Sequence, residues 1–267
     1  MTGRVLPTRA VEKPWGRDRL PAPFSTAPGE RIGEIWFEPP PELPDLLVKY
    51  LFTSEKLSVQ VHPSDAQAPP GERGKDECWL VLAAEPGAKL AIGFTGPVSP
   101  EAMRAAAADG TIEHLLAWHD VRSGDFIYLP AGTVHAIGAG LSLIEVQQAS
   151  DVTYRLFDYG RPRELHLEQA IAVARGGPHP AHLRRALPPH GAERLVEGPH
   201  FRLDRLDGPP TAEVRARYGE RPLLAIPLDQ AIGAGATSAA PGQCALAETL
   251  ADLAIPHGAQ ALVAQPL

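Results

Sequence analysis

The most constraining feature of this sequence is the alternation of apolar and polar residues from Leu57 to His62. Because successive side chains of a β-strand point to opposite faces, this pattern predicts a strand that presents Ser58, Gln60 and His62 on one face. In a helix, Gln60 and His62 would point about 200° apart and could not meet at one ion. The predicted strand therefore offers an amide and an imidazole to a common site.

Two further segments supply side chains that can join this site. Glu77 begins the apolar run E-C-W-L-V-L after a P-P-G-E-R-G loop, and His135 follows the turn L-P-A-G-T-V. Imidazole nitrogens and carboxylate oxygens are suitable zinc ligands. If Gln60, His62, Glu77 and His135 converge, they form a site for a divalent metal ion. One carboxylate offsets only half of the charge of such an ion, which stays a good Lewis acid.

The composition favours many short strands. The chain has 29 prolines and 25 glycines among 267 residues, which indicates frequent turns rather than a helical bundle. The pattern changes over residues 99–118, where Ser99 is a predicted N-cap and an alanine-rich helix ends near Gly110. A second short helix is predicted over 112–118. We therefore expect a mainly β protein with a small helical insert at 99–118 that flanks or covers the site.

The stretch 176–193, rich in histidine and proline, is the best candidate for a domain boundary. We predict a metal-binding domain over residues 1–175, a linker over 176–193 and a smaller β domain over 194–267. The irregular spacing of the linker histidines favours a solvated linker over a metal-binding tract. The last domain lacks a Gln-x-His pair and a matching glutamate, so we expect it to be metal-free.

Charge and cysteine content narrow the partners and the compartment. The formal net charge is −7, and no run of lysine and arginine indicates a surface for nucleic acid or an anionic membrane. A small anionic substrate is still compatible, because a few local cations can bind it. Without a long apolar run, a signal-peptide core or enough cysteines for a disulfide framework, we expect a cytoplasmic protein with no membrane span.

Five motifs in combination resemble the type I mannose-6-phosphate isomerases in their short bacterial form. They are K-P-W-G from residue 13, L-S-V-Q-V-H-P-S-D from 57, G-K-D-E-C-W-L-V-L from 74, L-P-A-G-T-V-H-A-I from 129 and I-E-V-Q-Q-A-S-D-V-T-Y-R from 144. The resemblance covers residues 10–165 well and the remainder loosely. It implies a cupin fold with two jelly-roll β-barrel halves and one zinc ion per chain. The family's zinc ligands fall on Gln60, His62, Glu77 and His135.

The same resemblance assigns further roles. The family's active-site arginine falls on Arg155, its site lysine on Lys75 and a site glutamate on Glu145, and Ser58 matches a residue close to the substrate phosphate. Lys75 and Arg155 are the cations expected to hold that phosphate. Aldose–ketose isomerisation moves one proton between C2 and C1 and another between the two oxygens, so it requires a base. Glu145 could be that base, and so could a histidine or a zinc-bound water.

Arg155 has a structural alternative. It could form a salt bridge with Asp151 or Asp158 and take no part in binding substrate.

Three functions remain open from the sequence. The first is a zinc-dependent isomerase that interconverts mannose 6-phosphate and fructose 6-phosphate. The second is another metal-dependent cupin enzyme, such as a different sugar isomerase or a dioxygenase. Gln60 argues against redox iron because it replaces a nitrogen ligand. The third is a sugar-binding cupin without catalysis.

The sequence does not decide between monomer and dimer, and a monomer is our working expectation.

Overall fold

The computed structural model describes residues 3–267. The strands of this part of the chain are β1 Arg4–Val5, β2 Thr8–Arg17, β3 Ile32–Phe37, β4 Leu46–Phe52, β5 Val59–Val61, β6 Glu77–Ala84, β7 Lys89–Phe94, β8 Leu116–Asp120, β9 Asp125–Leu129, β10 His135–Ile137, β11 Leu141–Gln148, β12 Tyr154–Phe157, β13 Arg184–Ala186, β14 Glu193–Glu197, β15 Phe201–Asp207, β16 Leu223–Pro227, β17 Ile232–Ala234, β18 Thr237–Ala239, β19 Ala245–Ala247, β20 Leu253–Ala254 and β21 Gln260–Pro266. Its α-helices are α1 Pro100–Asp109, α2 Ile112–Leu115, α3 Leu167–Val173 and α4 Ala212–Tyr218, with 3₁₀ turns at Ala181–Leu183 and Leu250–Asp252. The predicted mainly β fold with a small helical insert is confirmed.

The centre of the molecule is a seven-stranded antiparallel sheet, in the order β13-β9-β6-β11-β4-β3-β2. One face packs on the five-stranded sheet β12-β5-β10-β7-β8 through a core that includes Trp15, Leu51 and Trp79. The other face packs on the six-stranded sheet β1-β19-β16-β21-β15-β14 through Tyr50, Ile144 and other apolar side chains. Because this sheet is covered on both faces, β4 and β11 are buried along their whole length.

Helices cover the outer face of the five-stranded sheet. Residues of α1, α2 and α3 pack against Val59, Val61 and Ala136 in one apolar cluster. As predicted, Ser99 caps α1 by accepting a hydrogen bond from Ala102 N (3.2 Å), and Gly110 ends it in the left-handed conformation.

The predicted second helix over 112–118 is too long. The helix α2 ends at Leu115, and Leu116–Asp120 forms strand β8. This segment pairs with the outer edge of β7, where Ala91 lies opposite Trp118. Pairing satisfies backbone groups that a longer helix would leave at an open sheet edge, which explains the earlier helix end.

The remaining strands build the second half. The six-stranded sheet packs on its outer face against α4 and the small sheet β18-β17-β20. Two segments cross the predicted domain boundaries: β1 pairs with β19, and β13, inside the predicted linker, pairs with β9. The boundaries at residues 175 and 193 stay a prediction. No helix within residues 3–267 is long and apolar enough to cross a membrane.

Candidate metal centre and active-site cavity

A row of three polar side chains crosses the five-stranded sheet. Gln60, at the centre of β5, lies opposite His135 of β10 on one side and opposite Arg155 of β12 on the other. Residues directly opposite in antiparallel strands project from the same face of a sheet. The register therefore aims an amide, an imidazole and a guanidinium into the space between this sheet and the seven-stranded one.

The facing sheet contributes a carboxylate to the same space. Glu77, the first residue of β6, has its Oε2 3.5 Å from His62 Nε2 and its Oε1 3.4 Å from His135 Nε2. All three side chains are buried, and one donor atom from each lies within 4.8 Å of the others. They form a group that could hold a metal ion. The structure thus brings together four side chains that the sequence predicted to converge, with Gln60 Nε2 3.3 Å from His135 Nε2.

The hydrogen bonds of the two imidazoles fix which nitrogen faces the centre. His62 Nδ1 lies 2.9 Å from Val152 O, and His135 Nδ1 lies 2.9 Å from Thr133 O. A carbonyl oxygen can only accept, so Nδ1 carries the proton in both rings and the Nε2 lone pairs point toward Glu77. Burial lowers the pKa of both histidines, and the nearby Lys75 ammonium lowers the pKa of His62 further. Both rings are therefore held in the neutral form that metals bind.

The Glu77 carboxylate is fully buried and short of hydrogen-bond donors. Neither oxygen accepts a well-directed hydrogen bond from the described residues, although Lys75 Nζ lies 2.8 Å from Oε2. Burial opposes ionisation, but the charge of Lys75 outweighs it, so the pKa of Glu77 is lowered. An ionised carboxylate with an oxygen facing two neutral imidazoles fits a divalent cation.

Two buried lysines hold the second carboxylate of the cavity, Glu145. Its Oε1 lies 3.4 Å from Lys49 Nζ and 3.8 Å from Lys75 Nζ, and Trp79 Nε1 donates a hydrogen bond of 2.9 Å to Oε2. Burial opposes the charge on Lys75, yet Glu77 and Glu145 raise its pKa overall. Burial and the neighbouring Lys75 lower the pKa of Lys49. The four charged side chains form an alternating chain that starts at the candidate metal centre.

Arg155 is available for an external ligand. The structural alternative of an ion pair with Asp158 is not seen, because Asp158 accepts hydrogen bonds from Arg163 Nε at 2.6 Å and from Arg161 Nη1 at 3.0 Å. Within residues 3–267, Arg155 has no carboxylate at ion-pair distance, and its buried Nε lacks a hydrogen-bond partner. Burial and the charge of Arg163 lower its pKa. Such a guanidinium suits an anionic substrate group.

Ser58 contacts the amide side chain of Gln60. Its hydroxyl donates a hydrogen bond of 2.9 Å to Gln60 Oε1. All four remaining predicted residues, Ser58, Lys75, Glu145 and Arg155, line one narrow cavity together with Gln60. A larger cavity of about 700 Å³ lies beside the helical insert, between Lys56 and Trp118. It is lined by none of the predicted site residues, so the chemistry of the smaller cavity defines the site.

Three residues in or next to the cavity escaped the sequence reasoning. Lys49 holds Glu145 and lies 4.2 Å from the centre of the Trp36 ring, and Trp79 donates to the same carboxylate. Arg163 lines the cavity beside Arg155. A signal for Lys49 was present, since it is the single charge within the apolar strand L-L-V-K-Y-L-F. A lysine buried inside a core strand requires a partner, which indicates a polar site.

The fold and the cavity define a double β-sandwich protein with a candidate metal centre between two of its sheets. No protein-family model matches the chain. It is 47% identical over 136 residues to mannose-6-phosphate isomerase of Streptococcus mutans, a match that covers 48% of this chain and 43% of the relative. It is 43% identical over 137 residues to a mannose-6-phosphate isomerase of Bacillus subtilis, with the same coverage of 48% and 43%. The chain therefore matches less than half the length of these relatives.

Solved structures extend the similarity of fold to the whole chain. The crystal structure of mannose 6-phosphate isomerase from Bacillus subtilis superposes with a TM-score of 0.79 at 23% identity, over 99% of this chain and all of that one. A zinc-bound mannose 6-phosphate isomerase superposes with a TM-score of 0.72 at 14% identity, over the full length of both chains. The resemblance indicated by the motifs is confirmed: this chain is similar to mannose-6-phosphate isomerases of the short Bacillus type and has their fold.

Proposed function

We propose that this protein is a zinc-dependent isomerase that interconverts mannose 6-phosphate and fructose 6-phosphate. The observation that carries the proposal is the buried group of His62, Glu77 and His135 next to Gln60, which lines a cavity together with Arg155. The similarity to named mannose-6-phosphate isomerases supports the choice of reaction. The similarity in fold to a zinc-bound isomerase supports the choice of metal.

The proposed zinc ligands are His62 and His135 through Nε2, Glu77 through its carboxylate and Gln60 through its amide oxygen. At present Gln60 directs its Nε2 toward His135 and its Oε1 toward Ser58. A half-turn of the amide would direct the oxygen inward and leave the NH₂ group to donate to Ser58 Oγ. A serine hydroxyl can either donate or accept, so Ser58 can support both orientations.

The charge balance of the cavity favours an anionic substrate. Lys49 and Lys75 cancel the formal charges of Glu77 and Glu145, so bound zinc would give the cavity a net positive charge and polarise a sugar oxygen. Arg155 adds a further positive charge without an ion-pair partner among the described residues. Phosphate would bind Arg155 and Lys75, with Ser58 nearby. Local cations thus bind an anion in a protein that is acidic overall.

The reaction requires a group that takes the proton from C2 and returns it to C1. Glu145 is one candidate, because Lys49 and Trp79 hold its carboxylate in a fixed orientation inside the cavity. Lys75 and Arg155 would stabilise the negative charge that develops on the sugar oxygens in an enediol-like intermediate. A histidine or a bound water remains the alternative base. Comparison of a Glu145→Gln variant with wild type by C2-to-C1 proton exchange would separate these roles.

The proposal extends to the partner, the compartment and the oligomeric state. The proposed partner is a sugar phosphate, not a nucleic acid or a membrane. We predict a cytoplasmic monomer, and the two free cysteines, Cys78 and Cys244, are compatible with a reducing compartment. A coupled assay with mannose 6-phosphate, supported by metal analysis, tests the proposed function. Turnover with one zinc per chain supports it, and a metal-free protein with full activity would refute it.

A further inference from the structure

Asp76 is a buried carboxylate that lies beside the site without lining its cavity. It stands between Lys75 and Glu77 at the start of β6 and is 5% exposed. Its Oδ1 accepts a hydrogen bond of 2.8 Å from Ala131 N, and its Oδ2 accepts a hydrogen bond from the Tyr128 hydroxyl. Tyr128 lies near the end of β9, and Ala131 lies in the turn that leads from β9 to His135. Asp76 therefore connects the strand that carries one proposed ligand to the turn that precedes another.

The backbone of Asp76 is tied as firmly as its side chain. Its N–H donates to Gln148 Oε1 at 2.8 Å, and its carbonyl accepts from Gln148 N at 3.0 Å. These bonds fix the start of β6 against the end of β11. With its backbone held on one side, the Asp76 carboxylate can position the turn on the other side.

The turn itself has a second attachment to the metal centre. Gly132 N donates to His62 O at 2.8 Å, and Gly132 adopts a φ of 85°, a conformation that glycine accepts without strain. The turn is thus held between the backbone of His62 and the side chain of Asp76. His135 follows three residues after Gly132, so this attachment helps to fix the position of the backbone that carries the His135 imidazole.

We propose that Asp76 is a positioning residue that sets the separation of Glu77 and His135 and thereby the affinity for metal. The inference rests on the proposed function, because it concerns the same metal centre. A carboxylate can accept from two donors at once, whereas alanine leaves Ala131 N–H buried and unpaired. Asparagine is an intermediate case: its oxygen can accept from Ala131 N, and its NH₂ group can donate to the Tyr128 hydroxyl.

The test is zinc affinity of the full chain, measured by competition with a chelating indicator, alongside the melting temperature of the metal-free form. Removal of groups that orient metal ligands weakens binding by about 10- to 100-fold. We expect a loss of this size for Asp76→Ala and a much smaller one for Asp76→Asn. The matched control is Asp125→Ala, which removes a carboxylate that also accepts a backbone hydrogen bond, from Arg122 N at 2.9 Å, away from the proposed ligands.

Stability alone cannot produce the expected pattern. Asp125→Ala should lower the melting temperature without changing zinc affinity, while Asp76→Ala should change both. Wild-type affinity in Asp76→Ala, or equal losses in the two variants, would overturn the inference while leaving the isomerase proposal intact. If Asp76→Ala does not fold, Tyr128→Phe decides: zinc binding about threefold weaker supports the inference, and unchanged binding overturns it. Wild-type protein that neither binds zinc nor isomerises the sugar would overturn both.

Discussion

Arg155 lies directly opposite Gln60 in the antiparallel pairing of β12 and β5, with His135 on the other side of Gln60 in β10. This register places Arg155, the residue proposed to bind the phosphate, one strand away from the proposed zinc ligand Gln60. A substrate held by Arg155 would therefore extend across the face of the sheet toward the metal. The geometry links binding of the anionic group to orientation of the reacting carbons.

Removal of an imidazole should remove the metal. We expect His62→Ala to weaken zinc binding by at least about 100-fold and to abolish isomerisation, because two neutral nitrogens face Glu77 in the native site. Metal content after dialysis and turnover of mannose 6-phosphate are the measurements. His257→Ala, at an exposed position, should match wild type. Full zinc occupancy in the His62 variant would exclude His62 as a ligand.

Arg155 should act through the phosphate group. We expect Arg155→Ala to lower kcat/KM for mannose 6-phosphate by about 10²- to 10³-fold, since the guanidinium has no competing carboxylate within residues 3–267. The kcat/KM of Arg155→Lys should lie between those of Arg155→Ala and wild type, because lysine keeps the positive charge but lacks the planar guanidinium that can donate two parallel hydrogen bonds. Steady-state kinetics provide the comparison, with the exposed Arg215→Ala as control.

Substrate without phosphate separates this role from general damage. If Arg155 acts through the phosphate alone, Arg155→Ala and wild type should convert unphosphorylated mannose at similar low rates. An equal loss on both substrates would instead show that Arg155 acts on the sugar oxygens or on the structure, and not through the phosphate.

The buried pair of Lys49 and Glu145 should be costly to break. Their side chains are 3% and 5% exposed and their charged atoms lie 3.4 Å apart. Removal of one partner of a buried pair destabilises proteins by about 3–5 kcal/mol, so we expect a loss of this order for Lys49→Met in urea denaturation of the metal-free protein. The exposed pair of Lys89 and Asp120 offers the control, and Lys89→Met should cost less than about 1 kcal/mol.

The double variant tests the coupling directly. Lys49→Met combined with Glu145→Gln removes both charges, so it should be less destabilised than the sum of the two single variants. Additive losses would show that the pair contributes no coupling energy.

The buried histidines should make the stability of the metal-free protein depend on pH. Burial lowers the pKa of His62 and His135 in the folded state, whereas in the unfolded chain they titrate near about 6.5. Below that pH the unfolded state binds more protons, so stability falls as pH falls, by up to about 1.4 kcal/mol per pH unit for each histidine. Urea denaturation from about pH 7 to pH 5 measures the slope.

Variants test whether the buried histidines cause this dependence of stability on pH. His62→Gln should make it shallower, and His257→Gln at an exposed position should leave it unchanged. A His62→Gln variant with the wild-type slope would contradict the account of the buried imidazoles.

Composition and periodicity were enough to predict the mainly β fold, while the family resemblance was needed to turn the convergence of Gln60, His62, Glu77 and His135 from a hypothesis into a prediction. The alternation from residue 57 to 62 allowed only one face for the polar side chains. Local patterns could not place β8, because its strand conformation depends on pairing with β7. The lone charge of Lys49 in its apolar strand was a signal, but its partner was not visible, since Glu145 is 96 positions away and the pairing of β11 with β4 places the two opposite each other.

The most direct test of the central claim is a coupled assay of the purified protein with mannose 6-phosphate, before and after chelation and again after zinc is added. We predict turnover that is lost with the chelator and restored by zinc, with one ion bound per chain. Turnover that survives complete metal removal, or a zinc-loaded protein with no activity on mannose 6-phosphate, would contradict the account.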